Sequence, residues 1–261
     1  MATMTQHAPG TFCWPELATS DQPAAKQFYT SLFGWAFEDS PIGEGQVYTM
    51  LRLGDRQVGA LFQMDREPAG VPPHWASYVA VASADASAAR AASLGGKVIK
   101  EPFDVMDVGR MAVIQDPQGA VVALWQAKKH YGAAVLDEPG ALCWTELMTT
   151  DTGDAARFYT GLFGWTAEPM PMGPTAYTRF KRGDKSAGGM MAIPPEMGPM
   201  PPHWLGYFAV VDCDESVAQA IMLGGKVAVP PTVIPGTGRF SVLHDPQGAT
   251  FAIVGLAKQE S

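Results

Sequence analysis

Two glutamates are the side chains of this sequence best suited to acid–base chemistry. Glu16 follows Trp14 by two residues, and Glu146 follows Trp144 in the same way. Each pair lies in a short segment whose alternation predicts a β-strand with the tryptophan and the glutamate on one face. Burial against an indole disfavours the charged form of a carboxylate, so we expect a raised pKa for both glutamates. This is the environment of a general acid or base.

A second interpretation is that each glutamate is paired with an arginine. Arg110 and Arg239 each open a late predicted strand and follow a glycine. Half-buried carboxylates usually have such partners. An Arg–Glu pair can also hold a polar group of a ligand, so both interpretations place Arg110 near Glu16 and Arg239 near Glu146.

Matched tyrosines and histidines are further candidates for contact with a ligand. They are Tyr48 and Tyr177, Tyr78 and Tyr207, and His74 and His203. Tyrosine hydroxyls on a cleft wall can bind carbonyls or phenols, although tyrosines in sheets are also common core residues. A histidine at a strand entrance can act as a base or contact a ligand, or can simply hydrogen-bond a loop carbonyl.

The candidate residues occur in pairs because the chain repeats itself once. Leu32–Trp35 returns as Leu162–Trp165, Pro72–Trp75 as Pro201–Trp204, and Asp116–Ala120 as Asp245–Ala249. A period of about 130 residues indicates two tandem domains and not a solenoid. We predict an N-terminal tail at residues 1–10, a first domain at 11–128, a linker at 129–140 and a second domain at 141–257.

Each half is predicted to contain two similar groups of elements. In the first half a strand over 11–18 leads to a helix with Ser20 or Asp21 as its N-cap and Gly34 as its end. Short strands follow at 35–38, 47–53 and 57–63. A second strand, at 75–82, and a helix at 84–94 then begin the pattern again, with strands at 97–101, 110–115 and 121–126. The chain therefore contains four βαβββ units.

The order of these phrases resembles the vicinal oxygen chelate superfamily, which includes glyoxalase I, the bleomycin-resistance proteins and the extradiol dioxygenases. The resemblance rests on the helix that ends in Leu-Phe-Gly-Trp, the later Leu-Gly-Gly-Lys-Val phrase and the closing Asp-Pro-Gln-Gly turn, and it covers residues 11–128 and 141–257. It implies an α+β fold of two tandem glyoxalase-like domains, each made of two βαβββ units whose sheets curl around a cleft. In the family's enzymes a divalent metal is bound on the cleft wall.

The positions that correspond to the family's metal ligands carry unsuitable side chains in both halves. The first-strand ligand corresponds to Trp14 and Trp144, whose indole nitrogen only donates. The remaining ligand positions hold apolar residues: Ala123 and Ala252, about Ala76 and Leu205, and near Leu61 and Met190. We therefore expect neither a metal nor another cofactor. The alternative is a displaced divalent-metal site that combines His74 with Glu16 and needs a further ligand.

Composition narrows the function classes. The chain has 261 residues, of which 47% are hydrophobic and 17% charged, and a net charge of −8. Nucleic acid and anionic membranes are poor partners for such a charge. Cys13, Cys143 and Cys213 show no paired spacing, and residues 1–10 lack the features of a secretory signal, so we expect reduced thiols in the cytoplasm.

We therefore expect a cytoplasmic protein that binds a small apolar or aromatic metabolite in clefts lined by the tryptophans and glutamates. One alternative is a lyase, isomerase or hydroxylase-like enzyme, either metal-free with Glu16 or Glu146 as base or metal-dependent with displaced ligands. Another is an interaction protein with filled clefts. A monomer and a homodimer both agree with the sequence, because four units in one chain can provide the pairing that the family often obtains from two chains.

Overall fold

Among the described residues, each half of the chain forms one sheet of eight strands with two α-helices. The computed structural model describes residues 6–43, 45–64, 70–172 and 175–257. The first half contains β1 Phe12–Thr19, α1 Gln22–Phe33, β2 Ala36–Gly43, β3 Gln46–Leu53, β4 Arg56–Gln63, β5 His74–Ala80, α2 Ala84–Ser93, β6 Lys97–Val105, β7 Gly109–Gln115 and β8 Val121–Ala127. The second half contains β9 Leu142–Thr149, α3 Thr152–Phe163, β10 Thr166–Met172, β11 Thr175–Arg182, β12 Lys185–Ala192, a short 3-10 turn Pro195–Met197, β13 His203–Val210, α4 Cys213–Met222, β14 Lys226–Ile234, β15 Gly238–His244 and β16 Thr250–Leu256.

The two sheets have the same topology. The first has the order β2-β3-β4-β1-β5-β8-β7-β6, and the second the order β10-β11-β12-β9-β13-β16-β15-β14. In each βαβββ unit the first and last strands are parallel, as in β1 with β4 and β5 with β8. The antiparallel pairing of β1 with β5 joins the two units of the first half. The predicted α+β fold of four βαβββ units in two tandem glyoxalase-like domains is confirmed.

The helix ends follow the predicted signals. The side chain of Asp21 accepts a hydrogen bond from the backbone N–H of Ala24, so Asp21 and not Ser20 is the N-cap. Helix α1 ends at Gly34, whose φ of 68° lies in the left-handed region. In the part of the chain that the structure describes, no helix has both the length and the apolar character needed to cross a membrane.

Two strands are longer than predicted, and both lie at an edge of the first sheet. Strand β2 continues through Pro41, and β6 continues through Pro102. An edge strand leaves one row of backbone groups unpaired, so proline loses no ladder hydrogen bond there. The predicted strands ended earlier, at residues 38 and 101, and the sequence does not show which strands are edges.

The first helix of each half packs against its own sheet and also against the other half. Phe28 and Tyr29 of α1 contact Phe251 of β16. Trp35, which follows α1, donates from Nε1 to the carbonyl of Gly140 at 2.7 Å, and Trp165 donates to the carbonyl of Gly10 at 2.9 Å. The two largest buried clusters therefore combine residues of both halves.

A buried polar contact crosses this interface twice. The Tyr159 hydroxyl donates to Asp116 Oδ2 at 3.0 Å and accepts from Trp204 Nε1 at 2.9 Å. Tyr29, Asp245 and Trp75 form the same contact with the halves exchanged. The repeated Phe-Tyr, His-Trp and Asp-Pro-Gln-Gly phrases thus hold the two halves together.

Candidate functional site

The predicted candidates Trp14 and Glu16 lie on the sheet face opposite the inter-half core, which we call the cleft face. In the first half this face is formed by Trp14, Ala60, Tyr78, Ala123 and Trp125, together with partly buried neighbours. Residues of alternate parity, such as Leu17 and Leu61, point into the inter-half core. The strand alternation therefore separates the residues that stabilise the fold from the candidate site.

In the first half, one glutamate is held by two tyrosine hydroxyls. Tyr48 donates to Glu16 Oε2 and Tyr78 donates to Glu16 Oε1, both at 2.6 Å. Trp14 Nε1 lies 3.4 Å from the Tyr48 hydroxyl and donates to it. The four side chains form a continuous hydrogen-bonded cluster on a mostly apolar surface.

The second half repeats this cluster. Tyr207 donates to Glu146 Oε1 at 2.9 Å, and the Tyr177 hydroxyl lies near enough to lower the pKa of the same carboxylate, without the short hydrogen bond that Tyr48 makes to Glu16. Trp144 Nε1 donates to the Tyr177 hydroxyl at 2.9 Å. Two copies that share less than half of their sequence thus retain the same four interacting side chains.

A small residue beneath each cluster lets the first tyrosine reach the glutamate. Strands β3 and β1 are separated by β4, so Tyr48 must cross about two strand spacings of roughly 4.8 Å each to meet Glu16. The residue below this path, opposite Glu16 in the register, is Ala60. Its counterpart is Gly189, where an added Cβ would overlap the Tyr177 hydroxyl. We attribute the longer Trp–Tyr contact of the first half to the methyl group of Ala60.

Burial sets the titration behaviour of both glutamates. Desolvation raises the pKa of Glu16 above its ordinary value, and the hydrogen bonds from Tyr48 and Tyr78 partly offset this shift. The pKa of Glu146 is raised for the same reason. The direction agrees with the expectation from the Trp-x-Glu pattern.

The predicted arginine partners are wrong. Arg110 makes a bidentate pair with Asp85 of α2, at 2.7 and 2.8 Å, and Arg239 pairs with Asp214 of α4 at 2.7 Å. Arg110 has the parity of Ala112 and Ile114, which are core residues, so it lies on the helix side of the sheet. Neither arginine belongs to the candidate site. The glutamate carboxylates interact with tyrosine hydroxyls instead.

The histidines have a local structural contact. His74 Nδ1 donates to the Pro72 carbonyl and His203 Nδ1 to the Pro201 carbonyl, both at 2.9 Å. This was the simpler of the two interpretations of a histidine at a strand entrance. His74 nevertheless lies near enough to Glu16 for its charge to favour the ionised carboxylate. Burial lowers the pKa of His203.

The residues on the cleft face do not fit a divalent metal. Trp14, Ala76 and Ala123 occupy the cleft-facing positions that correspond to family ligands, and none has a free donor atom for a cation. Leu61 and Met190 were assigned to the fourth position but point into the inter-half core, and the cleft-facing residues are their neighbours Ala60 and Gly189. Glu16, the candidate for a displaced site, already accepts two tyrosine hydrogen bonds.

The two cleft faces differ in how far they are closed. Trp125 donates from Nε1 to the carbonyl of His130 at 2.9 Å, and the His130 ring packs edge-on against Trp14 at 4.7 Å. Trp14 is consequently only 4% exposed. In the second half, Val254 replaces Trp125, and Trp144 is half-buried. The second cleft face therefore presents more of its tryptophan to solvent.

Two cavities lie outside the clusters. One of about 240 Å³ is lined by residues that include His7, Trp125 and Tyr131, and one of about 320 Å³ lies between α1 and α4. Glu16 and Glu146 line neither of them. In the first half, the packing of Trp125 and His130 over Trp14 agrees with the finding that Glu16 does not line the cavity.

Comparison with known families identifies the fold family. The Glyoxalase/Bleomycin resistance protein/Dioxygenase superfamily model matches residues 11–124 and 141–253. The chain belongs to this superfamily. It is 43% identical over 263 residues to a putative glyoxylase, CFP32, of Mycobacterium bovis, with both chains fully covered. It is 37% identical to the anthracycline biosynthesis protein DnrV of Streptomyces peucetius, over 97% of this chain and 96% of that protein.

Solved structures with the same fold are more distant in sequence. The Mn(II)-bound glyoxalase from Novosphingobium aromaticivorans has a TM-score of 0.65 at 15% identity and covers 95% of this chain and 83% of its own. The dioxygenase LapB from Pseudomonas sp. KL28 has a TM-score of 0.62 at 14% identity, with coverage of 97% and 93%. These similarities show the fold and not the chemistry of the site, because one fold can carry many different functions.

Proposed function

We propose that this superfamily member binds a small apolar or aromatic metabolite on its cleft faces, against the Trp-Tyr-Glu-Tyr clusters and without a divalent metal. The observation that carries the proposal is a buried carboxylate with two tyrosine hydroxyls and an indole, built twice on an otherwise apolar surface. A few convergent polar groups in an apolar setting are typical of small-molecule sites.

An aromatic ligand is the favoured class. Trp144 and Tyr177 are both half-buried and present ring surface beside the carboxylate of Glu146. The similarity to a protein named for anthracycline biosynthesis supports this choice, because anthracyclines contain fused aromatic rings. The second cleft face should bind first, since Trp125 and His130 cover the first.

Proton transfer by Glu16 or Glu146 is the second candidate function. The raised pKa of each glutamate brings its titration closer to neutral pH, which suits a general base. A lyase, isomerase or hydroxylase-like reaction would then begin with removal of a proton from the bound molecule. This function requires the reacting proton of the ligand to reach a lone pair of the carboxylate that the tyrosines leave free.

Calorimetric titration with beta-hydroxyanthraquinone tests binding, and mass spectrometry of the recovered ligand tests turnover. We expect saturable binding and an unchanged ligand. The other outcome is that the wild-type protein converts the ligand. If the variant Glu16→Gln combined with Glu146→Gln then binds the ligand with the same affinity but does not convert it, the protein is an enzyme. If neither beta-hydroxyanthraquinone nor any molecule that co-purifies with the protein binds, the proposal is wrong.

We also propose that the protein works in the cytoplasm as a monomer or homodimer. Cys13, Cys143 and Cys213 are all unpaired, which suits a reducing compartment. Cell fractionation with an antibody, followed by light scattering of the purified chain, tests both statements. Recovery in the secreted fraction, or a larger assembly, would contradict them.

A further inference from the structure

The hydrogen-bond donors of the second cluster are all used within the cluster. Trp144 has a single N–H, and it donates to the Tyr177 hydroxyl. An indole nitrogen cannot accept, so the Tyr177 hydroxyl proton is free to point to the nearby Glu146, as the Tyr48 proton points to Glu16 at 2.6 Å in the first cluster. The Tyr207 hydroxyl proton is likewise donated to Glu146.

The acceptor sites of the same cluster are not all used. An ionised carboxylate has about four lone-pair sites, of which the two tyrosines occupy two. The Tyr207 oxygen also retains its lone pairs, because the structure gives it no donor partner among the described residues. The first half has the same pattern at Glu16 and Tyr78.

The cluster therefore offers a ligand acceptors and no free donor. We propose, on the basis of the proposed function, that the cleft faces select aromatic molecules with a phenol or enol hydroxyl over ketones, quinones and ethers. The hydroxyl would donate to the carboxylate of Glu146 or Glu16. A carbonyl or ether oxygen would instead face carboxylate and phenol oxygens and would find no partner.

A matched pair of ligands tests this selectivity. Beta-hydroxyanthraquinone carries its hydroxyl too far from the quinone carbonyls to bond them internally, and its methyl ether has the same rings without the donor. A hydrogen bond to a charged acceptor predicts that the phenol binds about 10- to 100-fold more tightly. Equal affinities, or tighter binding of the ether, would overturn the inference and leave the proposed function standing.

A variant separates hydrogen bonding from the bulk of the methyl group. Tyr48→Phe combined with Tyr177→Phe removes the acceptors of Trp14 and Trp144 and frees both indole N–H groups for a ligand oxygen. The phenol preference should fall at least several-fold in this variant, whereas a purely steric preference would not change. An unchanged preference would therefore overturn the inference.

A second variant serves if the first does not fold. Tyr177→Phe alone should act in the same way on the second cleft face, because it frees the Trp144 N–H and leaves the first half unchanged. Circular dichroism establishes the fold before titration. If the wild-type protein binds neither anthraquinone nor any molecule that co-purifies with it, both the proposed function and this inference fail.

Discussion

The polar contact between the halves gives the sharpest prediction about stability. Tyr159→Phe removes a fully buried hydroxyl that joins Asp116 Oδ2 to Trp204 Nε1. Asp116 Oδ2 and the Trp204 indole N–H would both lose their partner while their residues stay buried, at 2% and 5% exposure, and Asp116 Oδ1 would keep its three backbone N–H donors. Each unsatisfied group costs about 1–3 kcal/mol, so we expect the free energy of unfolding to fall by about 2–6 kcal/mol.

Urea unfolding followed by circular dichroism measures this loss. In thermal unfolding, each kcal/mol lost should lower the melting temperature by roughly 2–4 °C. Tyr131→Phe is the matched control, because Tyr131 is 42% exposed and loses the same atom. A loss below about 0.5 kcal/mol for Tyr159→Phe, or equal losses in both variants, would refute the assignment of this contact as a buried link between the halves.

The remaining predictions concern the clefts. Trp125→Val should lower the free energy of unfolding by about 2–4 kcal/mol and should uncover Trp14. The number of beta-hydroxyanthraquinone molecules bound per chain should then rise from one to two. An unchanged stoichiometry would contradict the role given to Trp125. Because the pKa of Glu146 is raised, the native state keeps the proton of this group to higher pH than the unfolded state does. The stability that this group contributes therefore falls as the pH rises from about 4 through the folded pKa. Glu146→Gln does not titrate, and its stability relative to wild type should therefore increase between about pH 4 and 8; a constant difference in urea unfolding would refute the shift. Elemental analysis of protein purified without chelators should find less than about one tenth of a divalent metal per chain, and stoichiometric manganese, iron, nickel or zinc would show that the ligand set has been misjudged.

The sequence alone was sufficient for the architecture. The duplicated phrases indicate two domains, and the alternation around Trp14 and Glu16 places both residues on one strand face. Asp21 and Gly34 mark the ends of α1 by local backbone chemistry that depends on no distant residue. These features are local, so a single stretch of chain contains all the information.

The composition of the candidate site was only partly predictable. Tyr48 and Tyr78 were candidates, but their contact with Glu16 depends on the strand order β3-β4-β1-β5, which brings distant segments together. The functional residues that the sequence reasoning missed are Trp125, His130 and the small residues Ala60 and Gly189. The sequence did contain a signal for these residues, because the two repeats differ there: Val254 stands at the position of Trp125, and Gly189 at the position of Ala60.

The tertiary structure alone decided which face each late strand turns to the cleft. Alternation separates Arg110 from Met111 but does not say which of them faces a helix, and the pairing of Arg110 with Asp85 of α2 settles the choice. The contact of α1 and α3 with the other half is likewise absent from the local pattern, because an apolar helix stripe does not specify which surfaces it covers. The sequence by itself therefore determined the elements, the repeat and the chemistry available on one strand. Pairing between strands determined which side chains meet that chemistry, since Tyr48 and Tyr78 lie 32 and 62 residues from Glu16 along the chain.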